Sequence, residues 1–172
     1  MPLERLLVCA LWAFCFVALV IEPLYYFGCN WDDTGSSCDS SPHLLVRWVA
    51  VVWRIYCRWD PLFTAVPLWL RIMCSIEVFL FGPLYGVCAY GLQYRRPWLA
   101  AAALPFSGAL LYSTLVYFAM EFAQPEPGTN LTAVLLVNIP WSVVPVLLMY
   151  HVWVTMPTAT LTPTRIVKRS TE

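Results

Sequence analysis

Four polar side chains stand in otherwise apolar stretches of the chain: Glu22, Glu77, Glu121 and Asn138. An ionisable group inside a membrane-length segment is expensive to bury, so it marks a ligand site or a proton path by default. A helical rise of about 1.5 Å per residue allows their depths to be compared. Glu22 falls shortly before the end of the first apolar stretch, Glu77 a turn or two into the second, Glu121 near the end of the third, and Asn138 about two turns into the fourth. All four therefore lie in the half of a bundle remote from the N-terminus, the pattern expected of a shared pocket. Two carboxylates in such a pocket, with no fixed cation beside them, cannot both be charged cheaply. Glu22 and Glu77 are expected to share a proton where they touch. One negative charge among aromatic rings suits a lipophilic cation. The same groups could steady a cationic intermediate or move a proton as acid and base. Glu22 and Glu77 carry the functional reading. Glu121 is either a pocket residue or an interfacial one. Asp60, immediately before Pro61, reads as a turn or helix cap. Arg71 reads as a side chain that snorkels to the interface, and His43 and His151 as interfacial.

These groups need elements to hold them, and the composition restricts the choice. The 172 residues are 60% hydrophobic and only 12% charged, against about 45–50% apolar and 25% charged in soluble domains. A soluble fold of this length could not hide so much apolar surface. Ten basic and ten acidic residues cancel, so there is no basic excess to hold nucleic acid. A spanning helix needs about 20 mostly apolar residues, and four stretches supply them: about 6–27, 67–91, 97–123 and 131–156. The first is read as a retained helix, because its apolar core is long and no A-x-A site follows. The expected fold is an all-α integral membrane protein, a four-helix bundle forming a single domain over residues 1–156. Residues 157–172 form a polar tail. Pro83, Pro105, Pro140 and Pro145 are expected to kink the helices, and kinks open cavities.

Residues 43–59 read as a further, amphipathic helix between the first two spans. His43, Arg47, Arg54 and Arg58 share one stripe, with Leu45, Val49, Val52 and Tyr56 opposite. Such a helix lies in the membrane interface, with Trp48, Trp53 and Trp59 at headgroup level. Four spans put both termini on one side, together with Arg5, Arg95, Arg96, Arg165, Lys168 and Arg169. The positive-inside rule makes that side the cytosol. Cys29 and Cys38 then face an oxidising compartment, where they either form a disulfide or remain thiols. No C-x-x-C occurs among the seven cysteines, and no metal or cofactor is expected. Asn130-Leu131-Thr132 is a glycosylation sequon, placed so close to the fourth span that it is expected to stay unused.

The spacing of these residues resembles the EXPERA-domain membrane proteins, which include the sigma-2 receptor and the emopamil-binding protein, a sterol Δ8–Δ7 isomerase. Trp59-Asp60-Pro61-Leu62, then Trp69, then Glu77 before Pro83, is similar to the sigma-2 receptor pattern. There the helix-one and helix-two acids, here Glu22 and Glu77, line the ligand pocket, and the aspartate, here Asp60, belongs to a supporting polar network. Val20-Ile21-Glu22, Gly82-Pro83-Leu84, Tyr117-Phe118 and Asn138-x-x-Trp141-x-x-x-Pro145 resemble the isomerase, in which Asn and Trp line the sterol site. Two isomerase positions differ: its helix-one His is Ala18 here, and its second catalytic Glu is Cys74.

The resemblance implies a protein that binds a sterol or related lipid, and cationic amphiphiles, at Glu22, Glu77, Asn138, Trp141 and Glu121, without catalysis. It favours residence in the endoplasmic reticulum and a homodimer, although the tail carries no K-K-x-x signal. The alternative is sterol Δ8–Δ7 isomerisation, with Glu22 and Glu77 dividing the acid and base roles. A third reading is a trafficking or scaffold partner of another membrane protein.

Overall fold

A computed structural model describes residues 2–26, 31–32, 35–36 and 41–155. The first span begins as α1 (Pro2–Phe16), passes through a π-turn, π1 (Val17–Ile21), and ends as α2 (Glu22–Tyr26). A short antiparallel pair, β1 (Trp31–Asp32) and β2 (Gly35–Ser36), follows in the loop, with Trp31 opposite Ser36. Next come α3 (Leu44–Trp59) and the single turn α4 (Leu62–Ala65). The second span is α5 (Leu68–Ile76), a second π-turn, π2 (Glu77–Phe81), and α6 (Gly82–Gln93). The third and fourth spans are continuous helices, α7 (Leu99–Ala123) and α8 (Leu131–Thr155).

All four spans are long and apolar enough to cross a bilayer, with mean hydropathies of 2.3, 1.7, 1.6 and 2.1. Large apolar side chains point outward from them: Phe79, Leu115 and Leu136 are 72%, 63% and 66% exposed. Water would penalise such a surface, whereas lipid tails do not. Glu4 and Arg95 join the N-terminus to the turn after α6 through an ion pair of 3.1 Å.

Packing divides the interior into two clusters. In the larger, α1 lies against α6, with Leu7, Leu11 and Phe14 meeting Tyr85, Cys88 and Ala89, and Leu99, Phe106 and Leu148 closing the far side. Small residues allow the close approach: a Cβ on Gly86 would come within 3.2 Å of Cys15 Sγ. The smaller cluster gathers Leu62, Phe63, Leu70, Tyr117 and Val134 beneath α3.

The helix α3 has three faces rather than the two expected from its sequence. Arg47 and Arg58 lie on an exposed stripe, as the periodicity requires. The apolar arc is too wide for one contact and splits. Leu45, Trp48, Val52 and Ile55 turn outward, while Val49, Ala50, Trp53, Tyr56 and Cys57 turn toward the bundle. Trp53 therefore packs against the bundle. Its ring packs against Tyr26, Tyr56 and Phe63, with centroids 6.3, 5.6 and 5.9 Å away. The end of α3 is tied to α8, because Asn130 N–H donates to the Trp59 carbonyl at 2.8 Å. The Asn130 amide oxygen caps α8, accepting from Ala133 N–H at 3.1 Å. Cys29, Cys38 and the tail from residue 157 lie outside the described residues.

Candidate functional site: a cavity with two polar poles

The two π-turns place the carboxylates. In π1 the Glu22 N–H bonds to the Val17 carbonyl, and in π2 the Gly82 N–H bonds to the Glu77 carbonyl. A proline follows directly in each case, Pro23 and Pro83. Proline lacks the N–H for the next helical bond, and its ring collides with the carbonyl one turn earlier. Widening the turn relieves that collision. It also moves the helical phase by about one residue, so that each glutamate turns inward, and π-turns recur at functional sites for this reason. The turns touch at Gly82, where a Cβ would stand 2.6 Å from Leu19 Cδ2 and 3.3 Å from Ala18 Cβ. Proline alone does not produce the effect: Pro105, Pro140 and Pro145 sit within uninterrupted helices.

A cavity of about 240 Å³ opens between the spans and α3. Its walls are apolar, with Leu70, Met73, Leu110, Trp53 and Phe63 among them. Val52 and Val137 line it and are also exposed, so the cavity reaches the surface between α3 and α8.

The first polar pole is the acid pair. Glu77 Oε1 accepts from the Tyr85 hydroxyl at 2.7 Å, and Trp141 adds a second side-chain hydrogen bond. Tyr85 is completely buried, and Phe14 stacks on Trp141 with centroids 4.4 Å apart, so both donors are held rigidly. Glu22 faces Glu77 closely enough to act on it electrostatically. Its Oε2 is buried and has no hydrogen-bond partner. Cys74 lines the same end and donates to the Tyr26 hydroxyl at 2.8 Å.

The second pole is built on Asp60, which is 0% exposed. Asp60 Oδ1 accepts from Leu62 N–H at 3.2 Å, the capping role read from the sequence. Oδ2 accepts from the hydroxyls of Tyr56 and Tyr117. Burial pushes the Asp60 carboxyl above the usual aspartate value, although these three hydrogen bonds pull it down. Burial and the neighbouring Asp60 also push Tyr56 ionisation up, which keeps its hydroxyl protonated. Tyr56 in turn accepts from Asn138 Nδ2 at 2.9 Å.

Of the residues singled out by sequence, Glu22, Glu77, Asn138 and Trp141 line one cavity. Asp60 stands behind its wall. Glu121 is not among the lining residues; it is 2% exposed, lies near Asp60 and Glu126, and has a buried Oε2 without a partner. His151, about one turn from the end of α8, is buried against the bundle. Sequence reasoning missed Tyr56, Tyr85 and Tyr117 as site residues. A signal existed for Tyr85, which falls two turns after Glu77 in the same helix. A signal existed for Tyr56 too, one helical turn before Asp60, whereas Tyr117 comes from α7 and spacing alone could not pair it with Asp60. Among the described residues no cluster of metal-ligating side chains occurs.

Four helices long and apolar enough to span a bilayer, around an apolar cavity with buried carboxylates, are the architecture of an integral membrane protein. Residues 48–152, more than half of the chain, match the family model of EXPERA, the expanded EBP superfamily. The chain belongs to this family. No curated protein matches the sequence significantly.

Proposed function

We propose that the protein binds a sterol or related amphiphilic lipid in this cavity without transforming it, and that cationic amphiphiles compete for the same place. The observation that carries the reading is Glu22 Oε2, buried at the cavity end with no partner inside the protein. An unsatisfied buried carboxyl oxygen costs several kcal/mol in order of magnitude unless something meets it, and a ligand hydroxyl or ammonium does. Family membership and the apolar walls support the same reading. The volume of about 240 Å³ falls just under the range of about 300–1,000 Å³ usual for drug-sized ligands. A full sterol must therefore widen the cavity or extend through the opening at Val52 and Val137. The proposed setting is the endoplasmic reticulum, with both termini cytosolic and the cavity in the opposite half of the bilayer; homodimerisation is part of the same proposal. Saturable binding of a tritiated sterol to the purified protein tests it. Glu22→Gln should weaken binding at least about tenfold, the order of one charge-assisted hydrogen bond, and Glu77→Gln should weaken it by less. Unchanged binding in both variants sinks the reading.

Sterol Δ8–Δ7 isomerisation is the second reading, favoured by two carboxyls on one cavity. Protonation of the double bond by one acid and removal of the C7 proton by the other base would complete it. Ala18 and Cys74 at the expected catalytic positions stand against it. Rescue of an isomerase-deficient yeast strain would reverse the ranking.

A further inference from the structure

At the Asp60 pole the Asn138 amide has a fixed hydrogen-bond polarity. Asn138 Nδ2 carries two protons and spends both. One goes to the Val134 carbonyl at 2.8 Å and the other to the Tyr56 hydroxyl oxygen at 2.9 Å. A backbone carbonyl can only accept, so the amide cannot flip without setting oxygen against oxygen. Tyr56 is itself committed, since its own proton points to Asp60 Oδ2 at 3.2 Å. The Tyr117 hydroxyl donates to the same oxygen, and Thr114 donates to the Leu110 carbonyl at 2.9 Å. Asn138 lines the cavity, and Oδ1 is the amide atom that these bonds leave unspent.

We infer that Tyr56 is a specificity-determining residue: by consuming the spare proton of Asn138 it leaves that amide only an acceptor to offer, which selects ligands that present a hydroxyl or amine N–H to it over ligands that present a carbonyl or ether oxygen. The inference rests on the lipid-binding reading and deepens it. Tyr56 acts through Asn138 and is a positioning residue. A site whose buried polar groups are committed in one sense discriminates against the mismatched ligand, because the mismatch leaves an acceptor facing an acceptor. The Tyr56 hydroxyl is the removable half of the arrangement, whereas the Val134 carbonyl is not. Without that hydroxyl the amide keeps its orientation and regains one donor.

The test uses the full-length protein in detergent micelles and a matched pair of probes, 5α-cholestan-3β-ol and 5α-cholestan-3-one. Wild type should prefer the alcohol by about tenfold, and Tyr56→Phe should bring the ratio to within about twofold by strengthening ketone binding, the scale of one hydrogen bond made or lost. Gain of ketone affinity is a readout that a loosened or misfolded variant would not produce. Should Tyr56→Phe fail to fold, Asn138→Leu, which removes the acceptor itself, should abolish the alcohol preference. Wild type that binds both probes equally, or a ratio unmoved by Tyr56→Phe, overturns the polarity inference and leaves lipid binding standing. Wild type that binds neither probe overturns both.

Discussion

Replacing Asp60 by alanine removes the acceptor from three donors at once: Leu62 N–H at 3.2 Å, the Tyr56 hydroxyl at 3.2 Å, and the Tyr117 hydroxyl. The two tyrosine oxygens are 3.3 Å apart, so one hydroxyl can redirect its proton to the other. That leaves one hydroxyl and one backbone N–H unpaired. At about 1–3 kcal/mol for each buried orphan, Asp60→Ala should cost about 2–6 kcal/mol. Asp60→Asn keeps Oδ1 for Leu62 and fills the same space, and it no longer buries an ionisable carboxyl, so its loss should be much smaller. The decisive variant is the double one. In the Asp60→Ala background Tyr117→Phe removes a hydroxyl that has already lost its carboxylate acceptor, so the pair should be less destabilised than the sum of the single changes by about 1 kcal/mol. Unfolding midpoints in one detergent, followed by a thiol-reactive dye, measure all four proteins. Additive losses would refute the reasoning, because they would mean that Asp60 and Tyr117 do not share a proton-accepting site.

Two further outcomes follow from the same geometry. Because burial places the folded-state value of Asp60 above its ordinary 3.8, the folded state favours the protonated form. The stability that Asp60 contributes is complete below that ordinary value and is lost as pH rises through the raised one; Asp60→Asn should flatten this part of a stability–pH profile, and an identical profile in both proteins would count against it. Pro23→Ala restores an N–H to the first span and lets π1 relax toward a regular helix, rotating Glu22 by about 100°; thermal stability should hold or rise while sterol affinity falls, and an unchanged affinity would show that Pro23 does not maintain the turn.

The bundle was legible because hydropathy has few solutions at this length. Runs of apolar residues near 20 long can satisfy their backbones only as helices, and the observed spans follow those runs. The acid pair was legible for the same reason, as exceptions within them. The orientation of α3 was not. Its charges fix one stripe, but Leu45, Trp48, Val52, Trp53 and Tyr56 are all suited to burial or to lipid, and periodicity cannot say which arc meets the bundle. Only the space between Tyr26 and Phe63 decides for Trp53. The π-turns were also hidden. Pro83 reads as a kink, yet Pro105, Pro140 and Pro145 read alike and leave their helices regular. What separates Pro23 and Pro83 is tertiary: their turns face each other across Gly82. Glu121 shares the depth of the acid pair but stands outside the cavity, since depth along a helix does not specify azimuth.

The two acids therefore differ although the sequence presents them as equivalents. Each follows from a proline-linked π-turn, but Glu77 is supplied with donors by Tyr85 and Trp141, and Glu22 Oε2 has none. An acceptor already served by two rigid donors gains little from a ligand, whereas an orphaned one gains a full hydrogen bond. Glu77 is thus positioned to hold charge, and Glu22 to meet the ligand. At the second pole Asn138 has an amide whose donors are spent on Tyr56 and Val134. A ligand donor satisfies either acceptor, and a hydrocarbon of the same shape satisfies neither. On the proposed reading that difference, rather than the volume of the cavity, would set an amphiphile apart from the surrounding lipid.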